Sequence, residues 1–339
     1  MPMNTFEKKY KKVLEFLNNN VIMVSMIVLI VIISFINSKF LSVAVFKDIL
    51  MMNSTRLIIA CGTTFVLISG GLDLSAGRIV GLAAVVTASL GQYGGYTNKF
   101  YPNVPELSVA IPLFVAVTVG ALCGLLNGVL VAKMSIPPFI VTLGTQIAIW
   151  GINLIYFDMK PNSSRPIGGI TPNVKYFGSG LLGGNFPVVI LISAIVVVLT
   201  WFVLKYLVFG RNIYAIGGNK DAALVSGIKT VKTLIVVYAI AGLFYGLAGF
   251  LECARTGGAT AAYGVNYEFD AIAACVVGGV SNYGGIGTVP GMVLGVLLFG
   301  IINFGFTFIG MTPYVQLVVK GIIIIAAVGF DIKRRKKYE

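Results

Sequence analysis

Seven charged side chains lie inside or beside long apolar runs: Asp73, Arg78, Glu252, Arg255, Glu268, Asp270 and Lys320. A charge at membrane depth is costly, so those that persist line a pathway, relay an ion or lock helices as pairs. Lys320 is the most deeply placed, in the middle of the last apolar stretch. It reads either as a pathway contact or relay, or as an ion pair with Asp73, Glu268 or Asp270. Asp73 has a further reading, as a cap for a helix that begins near Ser75. Catalytic alternatives are thin. The chain has no histidine, which removes zinc sites of the HExxH kind and His-dependent triads. It has no GxxxxGK[ST] run, so ATP is not expected to bind here. The Gly-rich stretch Gly285 to Gly291 contains Pro290 and lies between apolar segments, unlike a dinucleotide-binding turn. A membrane-embedded enzyme would need paired acids or a positioned nucleophile, and no convincing pair stands out. Cys61, Cys123, Cys253 and Cys275 are widely separated and read as small buried hydrophobes rather than a metal cluster or disulfide framework. No cofactor is expected in this chain.

The elements that must hold these charges are membrane helices. Of 339 residues, 57% are apolar and only 11% are charged, whereas soluble domains carry about 25% charged residues. Val21 to Ile36, Ile111 to Ala132 and Val188 to Leu204 contain no charge. Crossing about 30 Å of hydrocarbon takes roughly 20 helical residues. The expected fold is an all-α polytopic membrane protein, a single transmembrane domain over 1–339. Ten spans are expected, at 21–36, 57–69, 78–92, 109–132, 138–158, 187–208, 231–252, 268–280, 289–308 and 314–330. The formal net charge of +13 is concentrated at Lys8, Lys9, Lys11, Lys12, along Lys205 to Lys232 and at Lys333 to Lys337. Basic residues flanking apolar segments mark the cytoplasmic side, not a nucleic-acid surface. Both termini and the loop 209–230 are therefore expected inside, and the connections 93–108 and 159–186 outside. Lys39, Lys47 and Arg56 would lie outside, against the trend. The first apolar run lacks a small-x-small cleavage site and reads as a retained helix rather than a signal peptide.

Two of these spans, 57–69 and 268–280, are short and run into glycine-rich stretches at Gly70-Gly71 and Gly278-Gly279. Interrupted helices in the two halves of a transporter surround its pathway, because irregular backbone at that depth must be covered by protein or water. An Asn followed by a Pro that opens the next span occurs at Asn127 and Pro138, and again at Asn303 and Pro313. The offset of five spans would make the repeats inverted. Glycines four apart at Gly120, Gly124 and Gly128, at Gly242 and Gly246, and at Gly291 and Gly295 permit close helix contact.

The most informative polar segment runs from Gly210 and Arg211 through Gly218, Asn219, Asp221, Ala222, Ala223, Ser226 and Gly227. Asn219 suits an N-cap, Asp221 the positive end of a helix dipole and Gly227 a C′ position. A helix of about two turns is marginal alone. Its small residues Ala222, Ala223 and Ser226, with Leu224 and Val225, read as a face for a cytoplasmic partner.

At this loop the chain resembles the sugar-type permeases of bacterial ABC importers, the ribose, xylose and galactose group. The resemblance spans about residues 40 to 333. It is carried by Gly70 to Gly77, Pro138 to Thr145, the 210–228 loop and Asp270 to Val280. Asp73 to Arg78, Val80 to Val86, Ile302 to Gly305 and Pro313 to Gln316 with Lys320-Gly321 are most like the galactose/methyl-galactoside branch. Gly70-Gly71 before Leu72-Asp73 follows the ribose-type pattern. The resemblance implies a permease homodimer in the bacterial inner membrane and a cytoplasmic ATPase with two fused nucleotide-binding domains, which would hold ATP and Mg. It also implies an extracytoplasmic sugar-binding protein that delivers galactose or a methyl galactoside. Asp73, Ser75, Thr142, Thr145, Glu268, Asp270 and Lys320 are then the candidates for lining the pathway or locking helices. Ribose, another pentose or a nucleoside are alternative cargoes, and an ion-coupled secondary transporter is the rival mechanism.

Overall fold

The computed structural model describes residues 21–335. Lys8, Lys9, Lys11, Lys12, Lys336 and Lys337 lie outside the described residues, so the termini expected inside are not tested. Among the described residues, thirteen α-helices carry almost the whole fold. They are α1 (Val21–Ile36), α2 (Val43–Ile68), α3 (Ala76–Leu90), α4 (Ala110–Lys133), α5 (Pro138–Asp158), α6 (Pro172–Ser179) and α7 (Val188–Tyr206). After these come α8 (Val208–Gly218), α9 (Lys220–Val225), α10 (Thr230–Thr256), α11 (Tyr267–Val277), α12 (Val289–Phe308) and α13 (Pro313–Arg335). A two-stranded ribbon, β1 (Leu181–Leu182) and β2 (Phe186–Pro187), follows α6.

The protein is an all-α polytopic membrane protein, and six of its helices are long and apolar enough to cross a bilayer: α2, α4, α5, α7, α10 and α12. All ten expected spans correspond to helices. Pro138 and Pro313 each open one, α5 and α13, where the missing N–H costs nothing. The second span differs most from expectation. It begins at Val43 rather than 57 and runs for 26 residues, so it is not short, and Lys47 and Arg56 lie within the helix rather than in an outside connection. Its first part carries Lys47 and Asp48 and the polar run Asn53 to Arg56, which break the apolar pattern in the sequence. Asn53, Ser54 and Thr55 are buried against other helices, and a span shielded by protein need not be apolar.

The core is built around α10, whose Tyr238, Tyr245 and Phe250 are fully buried and against which α2, α3 and α4 pack. The glycine series meet one another across this core. A Cβ on Gly120 would collide with the Gly242 carbonyl oxygen, and one on Gly124 with that of Tyr238. Only a glycine face lets two membrane helices approach this closely. The third helix of each half packs on the first helix of the other, α4 on α10 and α12 on α2. All four cysteines are free, and three are buried.

At the end opposite α8 and α9, the long connections are organised rather than open. Gln92 Nε2 donates to the Gly168 carbonyl at 2.8 Å, and its Oε1 accepts from the Phe100 N–H at 2.6 Å. Residues 159–187 contain α6 and the ribbon, and Gly178 of α6 lies directly on the Ala254–Arg255 backbone of α10.

Candidate functional site

The interval between α2 and α3 is the first helix break. Leu67 and Val66 carbonyls close the end of α2 onto Gly70 and Gly71, and Gly70 takes a positive φ of 79° that glycine adopts without strain. Asp73 follows, buried, with its Oδ1 accepting from the Ser75 N–H at 2.9 Å and from the Ser75 hydroxyl at 2.6 Å. The Ser75 hydroxyl in turn accepts from Asn127 Nδ2 of α4 at 2.8 Å. From α5, the Thr142 hydroxyl lies 3.2 Å from the Leu72 carbonyl, and Thr145 bonds back to the Thr142 carbonyl at 3.3 Å. Asp73 thus fixes the turn that precedes α3, and Ser75 holds the N-cap position without a cap bond of its own. Asp73 Oδ2 and Asn127 Oδ1 are buried without a hydrogen-bond partner.

The second break surrounds α11, which is only 11 residues long. Glu268 in its first turn is buried against Gly77 of α3 and accepts from Gln146 Nε2 of α5 at 3.3 Å. Asp270, one turn-step on, pairs with Lys320 Nζ of α13 at 3.1 Å. Of the three partners open to Lys320, Asp270 is the one it takes. Beside this pair, Asn53, Arg56, Asp270 and Asn303 border a cavity of about 20 Å³, room for a single water. Above it a second cluster ties three helices. Glu252 of α10 accepts from Arg255 at 2.8 Å, Tyr267 of α11 at 3.1 Å and Thr55 of α2 at 2.9 Å. The Arg56 guanidinium lies 3.1 Å from the Tyr267 ring centroid, a cation–π arrangement.

The polar segment at the other end folds largely as its residue types require. Asn219 caps α9, its side chain accepting from the Ala222 N–H at 2.9 Å. Asp221 sits in the first turn and Gly227 closes the helix at φ 83°. Two features differ from expectation. Residues 209–218, read as loop, belong to the 11-residue helix α8, in which Gly210, Ile213 and Ile216 are buried. Ala223, read as part of the partner face, turns inward and packs with Ala132, Ile216 and Leu234. Ala222 stays outside, and the large apolar side chains exposed on α9 are Leu224 and Val225, the latter 89% exposed.

These pieces converge at one junction that the sequence reading missed. Gly217, at the end of α8, lies so close to the end of α2 that a Cβ there would collide with the Ile68 carbonyl oxygen. That same carbonyl accepts from the Gly285 N–H at 2.9 Å, and Gly284 lies on Gly70 and Gly217. The surface segment, the break before α3 and the connection after α11 therefore touch backbone to backbone. Tyr214 of α8 adds a bond to the Gly287 carbonyl at 2.8 Å. Burial raises its phenol above the ordinary tyrosine range. Beneath the junction, Ser69, Gly71, Pro138, Lys220 and Tyr238 line part of a cavity of about 360 Å³. The glycines were visible in the sequence as separate runs, but nothing in their spacing paired 217 with 70 and 285.

The comparisons with known proteins agree with this architecture. The family described as "Branched-chain amino acid transport system / permease component" matches residues 45–328. A galactose/methyl galactoside import permease protein, MglC, of Haemophilus influenzae is 42% identical over 99% of this chain and all of its own length. The Escherichia coli protein of that name is 44% identical over 95% of this chain and 96% of its own. A ribose import permease protein, RbsC, of Haemophilus influenzae is 37% identical over 91% of each chain. No solved structure matches the chain. A membrane bundle with two interrupted helices, matched from end to end by import permeases, is a transport subunit rather than an enzyme, and the chain belongs to the branched-chain amino acid transport system / permease component family.

Proposed function

We propose that this chain is the pore-forming permease of an ATP-binding-cassette importer for a monosaccharide, with galactose or a methyl galactoside as cargo. The cargo assignment rests on the import permeases at 42–44% identity, against 37% for the ribose import permease. The mechanistic assignment rests on the Gly217 junction, where a segment with exposed apolar side chains is in direct backbone contact with both helix breaks. Two copies of the chain would enclose the pathway in the bacterial cytoplasmic membrane, with both termini and the α8–α9 segment inside. The connections 93–108 and 159–186 would receive a sugar-binding protein outside. A cytoplasmic ATPase with two fused nucleotide-binding domains would grip Leu224 and Val225 and hold the ATP and Mg that this chain lacks a motif for. Its closure would press α8–α9 against the end of α2 and shift the two breaks, biasing a bundle with two stable arrangements.

The test is reconstitution of the purified chain with the ATPase and the binding protein recovered from its native membrane. Sugar uptake should require ATP and survive collapse of ion gradients. Replacing Leu224 and Val225 with Glu should remove ATPase recovery while leaving the chain inserted, because both side chains are outside the core. Uptake that persists without ATP and stops with the proton gradient would instead make this an ion-coupled transporter, with the Asp270–Lys320 pair as its first candidate relay.

A further inference from the structure

A cleft between the end of α7, the start of α8 and the start of α12 has no part in that scheme. Its volume is about 560 Å³, and its walls include Trp201, Lys205, Arg211, Tyr214, Thr288 and Pro290. Three observations bear on what it holds. Lys205 and Arg211 are both exposed, and neither belongs to the two ion pairs among the described residues, Arg255–Glu252 and Lys320–Asp270. No acidic side chain among the described residues lines the cleft, so two cations face it without a counter-ion. Aromatic rings frame them. Lys205 Nζ lies 5.0 Å from the Trp201 ring centroid and 5.4 Å from that of Tyr206, while Tyr214 is anchored to Gly287 at 2.8 Å. Finally, Val198 and Phe202, each three residues before a lining residue of α7 (Trp201 and Lys205), are exposed and continue that side of the helix as an apolar strip.

We infer that this cleft binds an anionic phospholipid, its headgroup phosphate between Lys205 and Arg211 and its acyl chains along α7. Basic side chains beside interfacial aromatics at a membrane-helix end are the chemistry that recognises an acidic headgroup. A free phosphate would use the two cations and leave the apolar strip unused. An acidic segment of a soluble partner would have to sit against exposed Val198 and Phe202 on a membrane-spanning helix. Arg211, read from the sequence as part of the partner-contact loop, is assigned here to the lipid side of α8. The site depends on the membrane fold alone, so it stands or falls separately from the sugar-import reading.

The experiment is native mass spectrometry of the full chain in detergent, titrated with phosphatidylglycerol and with phosphatidylcholine. Wild type should retain phosphatidylglycerol preferentially. Lys205→Gln and Arg211→Gln should each weaken that retention about fivefold, and together roughly thirtyfold, without touching phosphatidylcholine. Trp201→Leu, which keeps both cations, should also weaken it. Unchanged preference in the double variant would overturn the assignment. Competition by soluble glycerol phosphate as effective as the lipid itself would overturn it too, showing a site for free phosphate. So would a double variant that keeps its lipid but loses ATPase co-purification, which would give the surface to the protein partner. Thermal melting in detergent confirms that each variant is folded, and both basic positions are exposed enough to tolerate the change.

Discussion

Two places hold the broken helices to their neighbours, and they do it by opposite means. At the α8–α9 end, Gly217, Gly70 and Gly285 meet through backbone atoms, with no side chain between them. Toward the other end, Glu252, Arg255, Tyr267 and Thr55 join α2, α10 and α11 through directional, charge-assisted bonds of 2.8 to 3.1 Å. A contact at one glycine crossing excludes any intervening group but has no preferred partner atom, so it transmits a push while allowing rotation that a series of glycines along two helices would block. A carboxylate with three donors resists both. The first arrangement suits a joint that is driven and the second a joint that holds its position until a whole helix moves.

The comparison breaks most visibly at Gly217. Gly217→Val would force a side chain onto the Ile68 carbonyl, separating α8 from the end of α2. Overpacking of this kind costs ~3 kcal/mol, and uptake in vesicles should fall to background although ATPase still co-purifies. A smaller effect is expected for Glu252→Gln, which leaves Arg255 with a weaker, neutral partner. Loss of such a buried pair is worth about 3 kcal/mol when complete, and the isosteric amide should forfeit part of that. Melting in detergent should drop while ATP hydrolysis remains coupled to uptake. If the Glu252→Gln variant instead melts normally but hydrolyses ATP without transport, the division between a driven and a holding joint is wrong. The smallest effect belongs to the Asp270–Lys320 pair, whose side chains keep 15% and 21% of their exposure. A double-mutant cycle with Asp270→Asn and Lys320→Met should return a coupling of about 1 kcal/mol. A coupling near zero, together with a defect in uptake from either single variant, would mark these residues as pathway rather than lock.

What could be read from the sequence follows from how far each signal extends along the chain. Apolar runs and caps are local, so the membrane fold and the Asn219–Gly227 helix were legible from residue types. The second span was started too late because Lys47, Asp48 and the run Asn53 to Arg56 interrupt its apolar residues, while the burial of Asn53, Ser54 and Thr55 by other helices is invisible in residue types. Helix α8 was missed because Gly210, Gly217 and Gly218 lower its local propensity, whereas tertiary packing of Ile213 and Ile216 holds it. Ala223 was turned the wrong way because a six-residue helix contains too few turns to define a face. The charged candidates were identifiable singly, since a lone charge in an apolar run stands out. Pairing was only partly legible: Asp270 stood among three partners offered to Lys320, but the Thr55–Glu252 bond joins positions 197 residues apart and left no local signal.

The glycine faces of α4 and α10 carry a mechanical meaning of their own. With the Gly120 and Gly124 backbones seated on those of Tyr238, Gly242 and Gly246, the two helices behave as one strut rather than two rods. A strut this stiff cannot be the part that bends. In the proposed importer, opening and closing would then fall to elements packed outside the strut, α11 and α12 against α2 and α5 against α3, with the strut as the frame against which a small displacement at Gly217 would become a change of access.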